Sequence, residues 1–168
     1  QPVGQLLHKI QSAGNFQRLF HFLPGKGNGE GVGVVLWVSG CDIHCPGCHN
    51  QETWDPESGK PFTKVELDLI IKELQRPEIT QFTLSGGHPL MPCNRKDVMK
   101  IVQSVRIAVP DISIWLYTGY KYNDLDKECK DILEYCDVVV DGPYIQELRD
   151  ISLEFRGSTN QRIIKLHK

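Results

Sequence analysis

The chain has 168 residues, of which 40% are hydrophobic and 24% charged, a composition typical of one globular domain with a single core. Its formal net charge is only -2 and no block of like charges stands out, which argues against a nucleic-acid-binding surface. No apolar run approaches the roughly 20 residues that span a bilayer, and residues 1–22 lack the pattern of a signal peptide. We therefore expect a cytoplasmic protein that binds neither nucleic acid nor membrane.

From residue 32 onward, short apolar runs alternate with longer segments of helical periodicity. Thr63 and Glu66 form a capping box at the start of the first predicted helix, and two further helices are predicted to begin near Asn94 and Asn123. Strands that alternate with helices imply βαβ units and a parallel sheet. The predicted strands are residues 32–38, 80–85, 112–117, 137–140 and 163–166.

The segment before the first predicted strand is interpreted as a separate lead-in, residues 1–31, ahead of a domain at residues 32–168. Its last part is rich in glycine, which occupies positions 25, 27, 29 and 31. The spacing of these glycines matches neither the phosphate-binding loop nor the dinucleotide-binding motif. The glycine-rich part is therefore expected to be a flexible connection.

The first four predicted strands each end in a small or acidic polar residue followed by glycine. In parallel α/β sheets and barrels, ligands bind outside the carboxyl ends of the strands. Ordinary turn chemistry also places glycine there, but four such endings at one edge favour a binding rim. The four endings are Ser39-Gly40, Ser85-Gly86-Gly87, Thr118-Gly119 and Asp141-Gly142.

Three of the six cysteines, Cys41, Cys45 and Cys48, lie within eight residues directly after the first predicted strand. Three soft thiolates at this spacing can ligate three irons of a 4Fe–4S cubane. Because a fourth cysteine at similar spacing is missing, one iron would stay open to a substrate. In a chain without an export signal, such clustering indicates metal or redox chemistry rather than disulfides.

Other interpretations of this segment stay open. A structural zinc ion could use the three cysteines with His44 or His49. The motif Cys45-Pro-Gly-Cys48-His49 also fits c-type haem attachment, and its two cysteines fit a thioredoxin-like site. Both of those leave Cys41 without a role, and a core of this size does not need zinc to fold. The residues thus favour the iron–sulfur cluster.

The cysteine motif, followed by Ser85-Gly86-Gly87-His88-Pro89-Leu90, resembles the radical S-adenosylmethionine superfamily. Further blocks of sequence are more closely similar to the activating proteins of anaerobic (class III) ribonucleotide reductases. Together the blocks cover about residues 31 to 162 in order. They are residues 37–41, 45–50, 53–54, 58–63, 84–87, 89–90, 114–121, 140–142 and 156–162.

The resemblance implies an open, incomplete (β/α) TIM-like barrel with one 4Fe–4S cluster, bound by Cys41, Cys45 and Cys48, after the first strand. It implies that the open iron chelates S-adenosylmethionine, which one electron from a low-potential donor cleaves. The resulting 5′-deoxyadenosyl radical would take hydrogen from a glycine of the partner, an anaerobic ribonucleotide reductase. No catalytic side chain beyond the cluster and the cofactor is implied. The residues expected beside the cofactor are Gly47, Cys48, His49, Ser85, Gly86, Gly87, His88 and Asp141.

His88 stands where the family usually has an acidic residue. Competing functional hypotheses are an activase of another glycyl radical enzyme and a small-molecule radical enzyme. A further competitor is a non-catalytic module for electron transfer or, stabilised by zinc, for interaction.

Overall fold

The structure is a computed structural model that describes residues 18–23 and 32–166. In this part of the chain, a six-stranded sheet is accompanied by three α-helices and three single turns of 3-10 helix. The strands are β1 (Arg18–Leu23), β2 (Gly33–Val38), β3 (Gln81–Gly86), β4 (Ser113–Tyr117), β5 (Val138–Asp141) and β6 (Arg162–Lys165). The helices are α1 (Lys64–Leu74), α2 (Pro92–Ala108) and α3 (Lys127–Leu133). The 3-10 turns are Gln51–Thr53, Tyr122–Asp124 and Gln146–Leu148.

The strands lie in the sheet in the same order as in the chain. β2 to β5 are parallel, and an α-helix connects each of these strands to the next, as parallel pairing requires. β1 and β6 pair antiparallel with β2 and β5 at the two edges. The predicted parallel pairing is therefore confirmed for the four central strands. It is wrong for β6, because a loop with one 3-10 turn, rather than an α-helix, joins it to β5.

β1 lies within the segment that the sequence indicated as a lead-in. Its residues, Arg18–Leu23, pair with all six residues of β2, so that Leu23 is opposite Gly33. The sheet consequently contains one strand, at its edge, that the sequence did not indicate. The glycines at 25, 27, 29 and 31 lie outside the described residues.

The three helices pack against one face of the sheet. Leu36, Leu84 and Leu116 point to that face from neighbouring strands in register, and each is at most 1% exposed. Because successive side chains of a strand point to opposite faces, the residues two positions earlier, Val34, Phe82 and Ile114, lie on this face as well. Burying one such side chain contributes about 1.5–3 kcal/mol. The packed layer thereby fixes the register of the parallel strands, and with it the relative positions of their carboxyl ends.

The opposite face of β4 and β5 is covered by the chain that follows β5. Trp115, buried on this face, contacts the ring of Phe155 edge-on, with centroids 5.4 Å apart. The hydroxyl of Tyr117 donates a hydrogen bond of 2.7 Å to the Phe155 carbonyl. These contacts hold the loop between β5 and β6 close to the carboxyl ends of the strands.

Two helix starts differ from prediction. α2 begins at Pro92, two residues before Asn94, because proline is well suited to the first helical position. α3 begins at Lys127 rather than near Asn123, because the side chain of Asp126 accepts a hydrogen bond of 2.9 Å from the N–H of Cys129 and caps the helix there.

The predicted capping box of Thr63 and Glu66 is present at the start of α1. The Thr63 side chain accepts a bond from the N–H of Val65, and Glu66 accepts from the N–H of Thr63, which completes the capping box. Thr63→Ala is expected to lower the free energy of unfolding by about 1 kcal/mol, measured by urea denaturation. Lys64→Ala, which removes an exposed ion pair with Asp68, should change it little. Equal stability of the two variants would contradict the capping role.

Candidate active site

The carboxyl ends of β3, β4 and β5 and the loop after β2 border one cleft. The strand ends at this edge are those that the sequence marked with polar–glycine pairs. The lining residues are Cys41, Ile43, Cys45, Cys48, Asn50, Trp54, Ser85, Gly86, Gly87, His88, Tyr117, Thr118, Gly119, Gly142, Tyr144 and Gln161.

The cysteine loop, residues 41–48, is anchored where it leaves β2. The N–H groups of Gly40 and Cys41 donate to the carbonyls of Thr53 and Trp54 at 2.8 and 3.0 Å. Trp54 in turn stacks on the ring of His44, with centroids 4.5 Å apart. The first cysteine is thus held at the wall of the cleft.

The other two cysteines bracket a tight turn. The N–H of Cys48 donates to the Cys45 carbonyl at 3.1 Å, and Gly47 within the turn has φ of 76°, where glycine is favoured. A Cβ on Gly47 would lie only 2.3 Å from Oε1 of Gln146. The conformation therefore favours glycine at this position, and the exposed side chain of Gln146 would have to move to admit a Cβ.

The three cysteines are unoxidised, half-buried and directed to the same cleft. Burial raises the pKa of the Cys45 thiol, and the nearby thiols of Cys41 and Cys48 raise it further by charge repulsion. Three sulfurs that repel one another when ionised are a suitable donor set for a cationic iron cluster, and soft thiolates are what such clusters bind. The residues present therefore fit a 4Fe–4S cluster with three protein ligands. In the described part of the chain, no three His, Cys, Asp or Glu side chains are arranged to hold a single metal ion.

The two histidines considered as zinc ligands are exposed and contact aromatic rings at the border of the cleft. His44 is stacked on Trp54, and the ring of His49 lies 6.1 Å from that of Tyr144. Both are exposed, and neither is among the described residues that line the cleft. Gly47 and His49, expected beside the cofactor, thus lie on the loop next to the cleft rather than in its wall.

Gly86 and Gly87 line the cleft as expected, but the backbone of β2 already occupies the space that a side chain would need. A Cβ on Gly86 would lie 2.8 Å from the Val38 backbone, and one on Gly87 would lie 2.6 Å from the Gly40 carbonyl oxygen. The N–H of Gly87 donates to the Val38 carbonyl at 2.7 Å. Close approach of two strand ends is thus sufficient to explain the glycine pair, which forms a narrow turn beside the cysteines.

Asp141 is buried, with 1% exposed, and its carboxylate is engaged within the protein. It accepts a bond of 2.7 Å from the N–H of Tyr122 and two bonds from the guanidinium of Arg162. Although burial opposes ionisation, these partners hold the pKa of Asp141 below its usual value. Its neighbour Gly142 lines the cleft, and Asp141 fastens β6 to β5.

Comparison with known proteins identifies the family. A family model described as a 4Fe-4S single cluster domain matches residues 27–164. The anaerobic ribonucleoside-triphosphate reductase-activating protein of Escherichia coli K12 is 45% identical over 136 residues, covering 80% of this chain and 88% of that protein. This chain belongs to the anaerobic ribonucleoside-triphosphate reductase-activating protein family. The Haemophilus influenzae protein of this name is 46% identical over 138 residues, covering 81% and 89%, and that of Enterobacteria phage T4 is 40% identical over 136 residues, covering 81% and 85%.

Membership in the activating-protein family confirms the resemblance drawn from the sequence blocks. The matched cluster domain includes all three clustered cysteines. The haem and thioredoxin-like interpretations used only two of them and left Cys41 without a role. Within residues 18–23 and 32–166, no helix combines the length and apolar character needed to cross a membrane.

From the sequence it stayed open whether Gln161 faces the ligand or the partner, and Tyr144 was not considered, although both line the cleft of this family member. Gln161 organises its surroundings, since its Oε1 accepts from the N–H of Gly157 at 2.9 Å and its Nε2 donates to the Gly142 carbonyl at 3.1 Å. The available signal was the similarity of residues 156–162 to the family. Tyr144 had no comparable signal, because its place depends on the fold of the loop after β5.

Proposed function

We propose that this protein is a radical S-adenosylmethionine activase that generates a glycyl radical on an anaerobic ribonucleotide reductase. The observation that carries the proposal is the meeting of three half-buried cysteines and a diglycine turn in one cleft at the carboxyl ends of parallel strands. Family membership supports the target, because the relatives are named as activators of that reductase.

In this proposal Cys41, Cys45 and Cys48 would hold a 4Fe–4S cluster through three thiolates, which leaves one iron without a protein ligand and available to S-adenosylmethionine. When bound and reduced, the cluster would supply the electron that cleaves the sulfonium of S-adenosylmethionine. The chain's own groups bind and orient. Ser85 and the Gly86-Gly87 turn line the same cleft beside the cysteine loop and would help to orient the cofactor there.

We infer that the sheet is the wall of an open, incomplete (β/α) barrel at residues 32–168, with β1 added at its edge. The support for this form is a sheet with β1 and β6 at separate edges and helices packed on one face. Such an open form would give a glycine-bearing loop of the reductase access to the cleft. A low-potential electron donor and a cytoplasmic setting belong to the same proposal.

The test is anaerobic reconstitution with iron and sulfide, followed by reduction and addition of S-adenosylmethionine. We expect release of 5′-deoxyadenosine and, after addition of purified anaerobic reductase, the electron paramagnetic resonance signal of a glycyl radical. Tight zinc binding without uptake of iron and sulfide would contradict the proposal, as would a reconstituted cluster that never cleaves the cofactor. Cleavage without radical formation on the reductase would indicate another glycyl radical enzyme or a small-molecule substrate.

A further inference from the structure

A ring of hydrogen bonds connects the cysteine loop to the ends of β3 and β4. Asp42, which follows Cys41, has its Oδ1 2.6 Å from Nδ1 of His88. Nε2 of His88 lies 2.8 Å from Oγ1 of Thr118, and that oxygen accepts a bond of 3.1 Å from the N–H of Tyr120. The Tyr120 hydroxyl donates to the second carboxylate oxygen of Asp42 and closes the ring.

The donors and acceptors of this ring are mutually consistent. Because an ionised carboxylate only accepts, Nδ1 of His88 carries the proton, and Nε2 of the neutral ring accepts from the Thr118 hydroxyl. Burial lowers the pKa of His88, in keeping with a neutral imidazole. Burial and the neighbouring Asp42 carboxylate raise the pKa of Tyr120 to about 12, so its hydroxyl remains a donor. Every polar side chain of the ring therefore has a partner.

His88 borders the cleft but its side chain is not placed to bind a ligand. The residue is 1% exposed, and both ring nitrogens are engaged within the chain. The ring of Tyr120 packs edge-on against it, with centroids 4.2 Å apart. A bound molecule could hydrogen-bond to the imidazole only by displacing Asp42 or Thr118 from it. His88 must therefore act through the residues that it holds.

We propose that His88 is a positioning residue that fixes the cysteine loop relative to the Gly86-Gly87 turn and so sets the fit of S-adenosylmethionine at the cluster. This inference rests on the proposed function. The imidazole of His88 holds Asp42, the residue after Cys41, and the backbone N–H of His88 donates to the Gly40 carbonyl at 2.7 Å. Movement of His88 would consequently displace two walls of the cleft together.

The first test is His88→Phe, which keeps a buried ring and removes both side-chain hydrogen bonds. The KM for S-adenosylmethionine in 5′-deoxyadenosine release should rise roughly 10-fold or more, the effect expected when a buried hydrogen bond to a charged group is lost. The kcat should change less, and the iron and sulfide content should stay at the wild-type level. His88→Asn, whose amide can still donate to Asp42, should recover part of the loss.

A matched pair of carboxylates separates positioning from general stability. Asp42 and Asp137 have equally exposed side chains, 34% and 35%, and each accepts hydrogen bonds from two groups. Asp137 accepts from Arg106 and from the N–H of Ile114 at the opposite end of the strands. Asp42→Asn should raise the KM, whereas Asp137→Asn should lower the melting temperature and leave the KM unchanged.

The outcomes are distinguishable. A wild-type KM in His88→Phe overturns the positioning role, as does a loss of activity explained entirely by lost iron, or an equal KM in Asp42→Asn and Asp137→Asn. If His88→Phe does not fold, Asp42→Asn decides by the same criterion. Failure of the wild-type protein to cleave S-adenosylmethionine would instead overturn the proposed function.

Discussion

The Cys45→Ala variant is expected to take up less iron and sulfide than the wild type and to release no 5′-deoxyadenosine above background. Cys45 is the middle ligand of the proposed cluster, and its thiol is close enough to those of Cys41 and Cys48 for mutual charge repulsion. With one thiolate removed, two ligands remain for a cubane. The rate should fall by more than about 100-fold, because even residues outside the ligand shell of metal sites contribute 10- to 100-fold.

Cysteines outside the cleft supply the controls. Cys93 is exposed near the start of α2, and Cys93→Ala should keep wild-type iron content and turnover. Cys136 is fully buried, and burial raises its pKa to about 12, so we expect Cys136→Ala to affect stability rather than the cluster. Iron and acid-labile sulfide analysis with the 5′-deoxyadenosine assay measures all three variants. Full turnover by Cys45→Ala would refute the ligand assignment.

Features that depend on neighbouring residues were predictable from the sequence. The capping box of Thr63 and Glu66 spans four positions and is present as predicted. The cysteine motif is equally local, because eight residues bring its three thiols to one loop. The ends of the central strands could also be placed, since parallel strands connected by helices end at the same edge of a sheet.

Features that depend on distant residues could not be predicted in the same way. His88 meets Asp42 across 46 positions and Thr118 across 30, and no spacing rule connects these residues. The pairing of β1 with β2 likewise depends on an edge of the sheet that exists only after folding. At the start of α3 the prediction of Asn123 was wrong, because Asp126 accepts the bond from the N–H of Cys129 and caps the helix three residues later.

The glycine pair after β3 was correctly placed in the cleft, but the reason for glycine lies in the protein itself. The sequence placed Gly86 and Gly87 on a ligand-binding rim, with ordinary turn chemistry as the alternative. The structure has backbone atoms of β2 within 3 Å of where each Cβ would be. Substitution at this turn should therefore affect folding even without any ligand.

Gly87→Ala is accordingly expected to lower stability strongly through steric overlap with the backbone alone. The new Cβ would lie 2.6, 2.8 and 2.9 Å from the carbonyl oxygens of Gly40, Thr53 and Val38. These are backbone atoms from the end of β2 and from the segment against which the cysteine loop is folded, so no side-chain rotation can relieve the overlap. We expect a loss of about 3 kcal/mol or more in the free energy of unfolding, at the upper end of overpacking effects.

Gly142→Ala provides the contrast, because its backbone is strained for alanine but its surroundings are open. Gly142 has φ of 95°, and its Cβ would have no neighbour nearer than 3.7 Å. Only the conformational cost remains, about 1–2 kcal/mol. Urea denaturation of both apo-proteins should therefore rank Gly87→Ala as less stable than Gly142→Ala. After reconstitution, Gly87→Ala should also hold less cluster than Gly142→Ala, since its methyl group displaces the backbone that holds Cys41. The reverse ranking would mean that the turn can open without moving the cysteine loop, and the close contact between β2 and β3 would then not be what positions the site.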